Sequence, residues 1–255
     1  MAQAGGGEPK LRELTNRPVS SELCQNAALI LKHAHDSASA LLKAFNLAKA
    51  GRGKRGMTTD EEQDLLRAMV VMAAAGLDAM AKQLIRDTLP ALVGVEASVK
   101  DGLEKFVVRQ IRGEAEGVDV LTGGKFLGRI LAASSHQTQV IEEYIKELTG
   151  GSLQSAEELV RTASALGIQP QGLGVDIKIL REVFGVRNKI IHELDMNLEG
   201  DRRKRNLRKQ KDMIRFANVL LQLAENLRDQ VDKRLPVATP VLLGDDWLRI
   251  LRTAI

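Results

Sequence analysis

Apolar residues recur at helical spacing through most of this 255-residue chain. The first such stretch predicts a long helix from about Ser21, whose hydroxyl can serve as the N-cap, to about Lys49. A second helix is predicted to begin at Thr58, with Glu61 completing a capping box. It is expected to end near Pro90, because proline lacks a backbone N–H. The chain therefore opens with a pair of long helices.

Three shorter amphipathic segments follow, separated by glycine-containing loops, and they have the look of an insertion between the longer helices. Their apolar residues are Leu103, Phe106 and Val107, then Phe126, Leu127, Ile130 and Leu131, then Val140, Ile141, Tyr144, Ile145 and Leu148. Ser155 and Glu158 form a further capping box before a helix that reaches about Leu166. The Gly- and Pro-containing stretch 167–174 breaks the chain, and the helical pattern resumes over 176–194.

The last long helix carries apolar residues from Phe216 to Val231 and is closed by Pro236. The tail 245–255 is apolar enough to dock as a short helix on this subunit or on a partner. The pattern thus predicts a disordered leader over 1–18, one helical domain over 19–235 and a tail with a short helix over 236–255.

Composition supports an all-α fold, because aromatic residues make up only 3% while hydrophobic residues reach 44%. The single cysteine, Cys24, excludes an intramolecular disulfide and a cysteine-rich zinc site. The Gly-rich N-terminus lacks the basic and apolar regions of a signal peptide, and no apolar run approaches membrane-spanning length. We therefore expect a cytoplasmic protein that neither enters a membrane nor is secreted.

Motifs for metals and nucleotides are weak. Gly51, Gly53 and Gly56 match G-x-G-x-x-G, but no strand precedes them, so a flexible loop is the better interpretation. His33 and His35 lie two residues apart on a helix and point about 200° away from each other, so they cannot chelate one ion. We expect no metal and no cofactor.

Positive charge is concentrated in one segment, although the net charge of +4 is modest. Eight of the fifteen residues from Asp201 to Arg215 are basic. Such a segment can bind a phosphate backbone, and it can equally be a solvated charged face.

One helix places a charged group among apolar ones. At about 100° per residue, Arg187 falls near the middle of the apolar stripe of the segment 176–194. An unpaired arginine in a core costs several kcal/mol, so Arg187 must meet a carboxylate, a subunit interface or a wet cleft that receives an anion. A second stripe beside the apolar one carries the residues Arg181, Gly185, Asn188 and His192.

Two interpretations of this helix stay open on geometry alone. These residues can form the edge of a site, or Arg187 can be a paired structural residue with His192 an ordinary surface group. Asp78, among apolar positions of the second helix, is the candidate carboxylate for Arg187, and its alternative is a helix surface acid.

The run Arg187-Asn188-Lys189-Ile190-Ile191-His192 resembles the R-x4-6-H motif of HEPN domains, including the polar residue that commonly follows the arginine. The resemblance covers residues 19–235 and implies an all-α, HEPN-like helical bundle with an inserted set of shorter helices. Many members of that family are metal-independent endoribonucleases, often toxins or defence effectors, that dimerise so that two motifs form a joint active site.

The resemblance implies a role for each motif residue. His192 would act as general acid or base, Arg187 would stabilise negative charge on the scissile phosphate, and Asn188 would orient the site. RNA would be the substrate, held by the basic residues Arg202, Arg203, Lys204, Arg205, Arg208, Lys209 and Lys211. A homodimer and an antitoxin or regulatory protein are the implied protein partners. The alternative function is a non-catalytic helical scaffold or RNA-binding module.

Overall fold

Eight α-helices make up most of the part of the chain that the structure describes, so the all-α prediction is confirmed. The computed structural model describes residues 9–15, 17–52, 57–112, 120–198 and 204–236, without the side chains of 120–123. The helices are α1 (Gln25–Gly51), α2 (Asp60–Val95), α3 (Ala97–Arg112), α4 (Val120–Ala132), α5 (His136–Thr149), α6 (Ala156–Ala165), α7 (Ile177–Glu193) and α8 (Gln210–Asp232). Two 3-10 helices (Glu22–Cys24 and Pro170–Leu173) and an antiparallel pair of two-residue strands, β1 (Met196–Asn197) and β2 (Lys204–Arg205), complete the described elements.

Helix α2 lies at the centre and packs against α1, α3, α5, α7 and α8. It is antiparallel to α1, because Asn26 binds Asp87 at one end of the pair and Arg52 binds Glu62 at the other. The two helices approach closely at Gly76, where an added Cβ would lie 2.1 Å from the Cβ of Ala34. A larger residue at position 76 would therefore push α1 and α2 apart.

Helix α8 runs in the same direction as α2, and α7 runs in the opposite direction. The backbone of Arg208, just before α8, bonds to the side chain of Gln63 near the start of α2. Asn226, late in α8, donates to the carbonyl oxygen of Leu173, which precedes α7. The end of α7, the strand pair and the start of α8 therefore meet beside the first turns of α2.

The shorter helices α3, α4 and α5 share an aromatic cluster. Phe106 of α3 packs edge-on against Phe126 of α4, with ring centroids 5.9 Å apart, and its centroid lies 4.9 Å from that of Tyr144 in α5. This group packs on α2 through α3 and α5. The three predicted short segments thus form one sub-cluster on the central helix.

Two of the predicted helix ends are wrong. The capping box of α2 uses Thr59 and Glu62, not Thr58 and Glu61. Pro90 lies inside α2, which continues to Val95. The capping box of α6, formed by Ser155 and Glu158, is confirmed, while Ser21 caps the 3-10 helix that precedes α1.

The N-terminal segment 9–15 packs against the bundle, which corrects the prediction of disorder for that part of the leader. Leu11 is buried, and the buried carboxylate of Glu225 in α8 binds the guanidinium of Arg12 and the backbone N–H of Thr15. The imidazole of His35 contacts the carbonyl oxygen of Arg12 at 2.9 Å. The rest of the predicted tail after residue 236, including its short helix, and Gly53 and Gly56 lie outside the described residues.

Among the described helices, α2 alone is long and apolar enough to cross a membrane by length and composition. Its most apolar 18-residue stretch has a mean hydropathy of 1.4, and 56% of that stretch is buried inside the protein. That burial is typical of the central helix of a helical bundle.

Candidate active site

Helix α7 has the amphipathic form that its sequence predicts. Asp176 caps it by accepting a hydrogen bond from the N–H of Lys178 at 2.8 Å. Its core-facing residues Leu180, Val183, Phe184 and Ile190 are buried, whereas Gly185 on the neighbouring stripe is exposed. These four buried residues form the face that packs on α2 and α8. Ile191 and Leu194, which the helical wheel also places on the predicted apolar stripe, are instead exposed.

Arg187 lies on this helix half-buried and without an acid. Its Nη1 donates to the side-chain oxygen of Asn188 at 2.9 Å, while its buried Nε has no hydrogen-bond partner. The contacts among the described residues give Arg187 no carboxylate. The sequence offered three environments for this guanidinium: a carboxylate, a subunit interface or a wet cleft that receives an anion. Among the described residues no carboxylate pairs with it, which leaves the other two.

Asn188 connects the motif to the turn before α6. Its Oδ1 accepts from Arg187, and its Nδ2 donates to the carbonyl oxygen of Gln154 at 2.9 Å. Both ends of the amide are therefore used, and the amide holds the guanidinium against the edge of the helix.

Asp78 does not hold Arg187 directly, which corrects the assignment made from sequence. One of its oxygens binds Lys82 at 2.8 Å, and the other accepts from the backbone N–H of Leu153 at 2.8 Å. Because Leu153 adjoins Gln154, Asp78 fixes the same turn that binds Asn188. Its connection to Arg187 is thus indirect and passes through the backbone of that turn.

His192 lies exposed in the last turn of α7. It follows Asn188 by four residues, so the two side chains lie on one face with a rise of about 6 Å between them. Asn188 and His192 therefore share one face of α7. Arg187 lies about 100° from Asn188 and about 140° from His192 around the helix, and it joins that face only through its hydrogen bond to Asn188.

Helix α7 ends in an unusual turn that the sequence analysis missed. Leu194 and Asp195 both have positive φ, of 51° and 58°. Their backbone N–H groups both bond to the carbonyl oxygen of Lys189 and so stop the helix.

Asp195 is fully buried and forms ion pairs with two arginines, Arg67 and Arg208. Its carboxylate accepts from Arg67 Nε at 2.9 Å, from Arg208 Nε at 3.0 Å and from Asn206 Nδ2 at 3.1 Å. Burial by itself raises the pKa of the Asp195 carboxyl, but the hydrogen bonds from Arg208, Arg67 and Asn206 outweigh it, so the pKa lies below its usual value. In the sequence, this cluster is signalled only by an acid three residues after His192, just before a dense basic segment that can supply its arginine partner.

The basic segment divides into paired and free groups. Arg208 binds Asp195, and Arg205 binds Asp64 at 2.6 Å, which holds the pKa of the Asp64 carboxyl below its usual range. The guanidinium groups of these two arginines thus already bind carboxylates, and their place on an RNA surface stays a prediction. Lys204, Lys209 and Lys211 are exposed, whereas Arg202 and Arg203 lie outside the described residues.

Exposed apolar side chains surround the end of α7. Ile191 is 39% exposed, Leu194 68%, Leu198 64% and Leu207 58%. Four large apolar groups exposed at one end of a molecule favour an interaction surface. Within the part of the chain that the structure describes, no cluster of three or more His, Cys, Asp or Glu residues could hold a metal ion.

Fold and site together define an all-α bundle in which one helix carries an arginine, an asparagine and a histidine within six residues, near exposed lysines and apolar residues. Comparison of the chain with protein-family models, with curated proteins and with solved structures gave no match.

Proposed function

We propose that this protein is a metal-independent endoribonuclease of HEPN type, which cleaves RNA at a composite site formed by two copies of the chain. The observation that carries the proposal is the half-buried guanidinium of Arg187, which has no carboxylate partner among the described residues and is hydrogen-bonded to Asn188. Asn188 in turn shares a helix face with the exposed His192. A guanidinium in that state is suited to bind an anion with paired donors.

The proposed chemistry needs only these side chains and the RNA. His192 removes the proton of a ribose 2′-hydroxyl, the 2′-oxygen bonds to phosphorus, and the bond from phosphorus to the 5′-oxygen breaks. His192 of the partner subunit gives a proton to the leaving 5′-oxygen. The products are a 2′,3′-cyclic phosphate and a 5′-hydroxyl end.

Arg187 stabilises the charge that develops on the non-bridging phosphate oxygens, because donors fixed in advance need no reorganisation during the reaction. Asn188 keeps the guanidinium in place through its hydrogen bond to Nη1. The exposed lysines Lys204, Lys209 and Lys211 supply the attraction for the RNA backbone.

The exposed apolar groups at the end of α7 support the dimer that a composite site requires. In this proposal the enzyme acts in the cytoplasm as a toxin or defence effector, and an antitoxin or regulatory protein restrains it.

The test incubates end-labelled RNA with the purified protein in excess EDTA. We expect the wild type to cut and to leave cyclic phosphate ends. His192→Ala and Arg187→Ala should each lose at least about 100-fold in cleavage rate, because removal of a general acid–base group or of an oxyanion donor costs this much.

Two variants serve as matched controls. His33→Ala removes an exposed histidine from α1, and Arg129→Ala removes an exposed arginine of α4 that lies 3.6 Å from Glu143. Both should cut like the wild type. Full cleavage by His192→Ala, or loss of all cleavage in EDTA, would contradict the proposal. Salt-sensitive RNA binding without cleavage of any RNA tested would instead identify a non-catalytic RNA-binding module.

A further inference from the structure

A buried carboxylate lies three residues beyond the candidate general base. Asp195 has no exposed surface, and both of its oxygens accept hydrogen bonds. Its ion-pair partners come from distant parts of the chain: Arg67 from α2 and Arg208 from the segment before α8. We call Asp195, Arg67 and Arg208 the carboxylate clamp.

The backbone at the clamp adopts a conformation that residues with side chains rarely adopt. Leu194 and Asp195, with φ of 51° and 58°, are the non-glycine residues with positive φ among those described. This region is disfavoured because Cβ approaches the following carbonyl oxygen. Two such residues in succession persist only where the surrounding structure holds them.

The side chain of Asp195 supplies that hold. The side chain of Leu194 is 68% exposed and contributes little packing, so it does not explain the turn. The backbone of Asp195 is bonded on both sides, because its N–H donates to Lys189 and its carbonyl oxygen accepts from the N–H of Asn206 at 2.8 Å. The clamp therefore fixes the place where α7 stops.

We infer that the carboxylate clamp positions His192 for the proposed reaction, with Asp195 as a positioning residue that never touches the RNA. This inference rests on the proposed function. The last turn of a helix lacks the hydrogen bonds that hold its interior, and it frays unless its end is tied down. His192 is in that turn, so the clamp decides how well its imidazole is placed.

Accurate placement matters because a displacement of about 1 Å can cost about 100-fold in rate. Through Arg208 and Asn206 the same clamp also fixes the second strand and the start of α8, where the exposed lysines lie. One buried carboxylate thus sets the general base relative to the RNA-binding groups.

The test compares Asp195→Asn with Glu225→Gln in the full chain. Glu225 is the matched control, because it is a buried carboxylate that binds an arginine, Arg12, at a site that does not involve α7. The readouts are kcat and KM on RNA, and the NMR resonance of the His192 Cε1–H. His192→Ala assigns that resonance among those of the four histidines.

For Asp195→Asn we expect kcat to fall about 100-fold and KM to change much less, because the exposed lysines keep their charge even where their segment shifts. The His192 resonance should shift or split, and those of the other three histidines should stay in place. Glu225→Gln should leave kcat and the His192 resonance unchanged. If Asp195→Asn does not fold, Arg208→Lys keeps the charge but loses the paired donors, and it should give a smaller change of the same kind.

An unchanged His192 resonance and kcat in a folded clamp variant would overturn the inference, as would an equal loss in Glu225→Gln. If the wild type does not cut RNA, the proposed function fails. The His192 resonance then still shows whether the clamp fixes the end of α7.

Discussion

At the scale of single residues, the guanidinium of Arg187 stands out because one of its buried donors has no hydrogen-bond partner among the described residues. A buried donor without a partner costs about 1–3 kcal/mol, and the Nε of Arg187 is such a donor. A fold normally removes this cost with an acid, as it does for Arg67 and Arg208. Because Nε is itself buried, the lack of a carboxylate beside Arg187, rather than the unpaired Nε, is the argument that this guanidinium binds an anion from outside the chain.

Cys24 gives a residue-scale prediction. Burial, together with the nearby Asp232, raises the pKa of its thiol to about 12. At pH 8 only about one thiol in ten thousand is then ionised, and the thiolate is the form that reacts. We expect iodoacetamide to label Cys24 far more slowly in the native protein than in urea, as measured by mass spectrometry. Comparable rates in both states would show that the start of α1 opens freely.

The sign of this pKa shift also fixes how pH acts on stability. A thiol whose folded pKa is raised stays protonated while the unfolded thiol ionises, so its contribution is complete below about pH 8.5 and declines as pH rises towards 12.

At the scale of elements, the central helix α2 shows how packing overrides a local signal. Proline inside a helix costs roughly 3 kcal/mol, which is why the sequence predicts an end near Pro90. The helix continues because it buries Leu92 and Val93 beyond the proline, and each buried side chain contributes about 1.5–3 kcal/mol. The two terms are of similar size, so the outcome depends on neighbours that the local sequence does not reveal.

The start of α2 provides the element-scale prediction. The hydroxyl of Thr59 accepts from the N–H of Glu62 at 3.2 Å, and Glu62 returns a bond to the N–H of Thr59 at 3.0 Å. Thr59→Ala should lower the free energy of unfolding by about 1 kcal/mol in urea titrations, the usual cost of losing an N-cap. Glu61→Ala is the comparison and should cost less, because Glu61 is exposed and, although it also interacts with the Thr59 hydroxyl, it does not return a bond to the N–H of Thr59. A larger effect at Glu61 would restore the box predicted from sequence.

At the scale of the whole molecule, the exposed apolar groups at the end of α7 bear on assembly. Leu194 and Leu29 are leucines of similar exposure, 68% and 54%, but Leu29 lies on the outer face of α1. Leu194 borders the candidate active site, and Leu29 does not. A dimer that builds a composite site must bury the surface around Leu194 and can leave that around Leu29 in water.

We therefore expect Leu194→Asp to shift the protein to a monomer in sedimentation equilibrium and to lower cleavage at least about tenfold. Aspartate tolerates the left-handed backbone at this position better than most residues, so the fold should persist. Leu29→Asp should stay dimeric and active. Equal assembly of both variants would place the dimer interface elsewhere on the molecule or show that none forms.

The sequence alone determined the all-α class, the amphipathic form of α7 and the order of its motif, because these depend on spacing within a single helix. It also located the capping box at Ser155, where the signal is contained in four residues. Tertiary structure decided the partners: Asp78 binds the turn before α6, Arg205 and Arg208 bind acids, and Arg187 is left without one. Arg67 and Asp195 are 128 residues apart in the chain. Helical periodicity says which face of a helix is buried, but which side chain that face meets depends on how the helices pack, and that depends on the whole core at once.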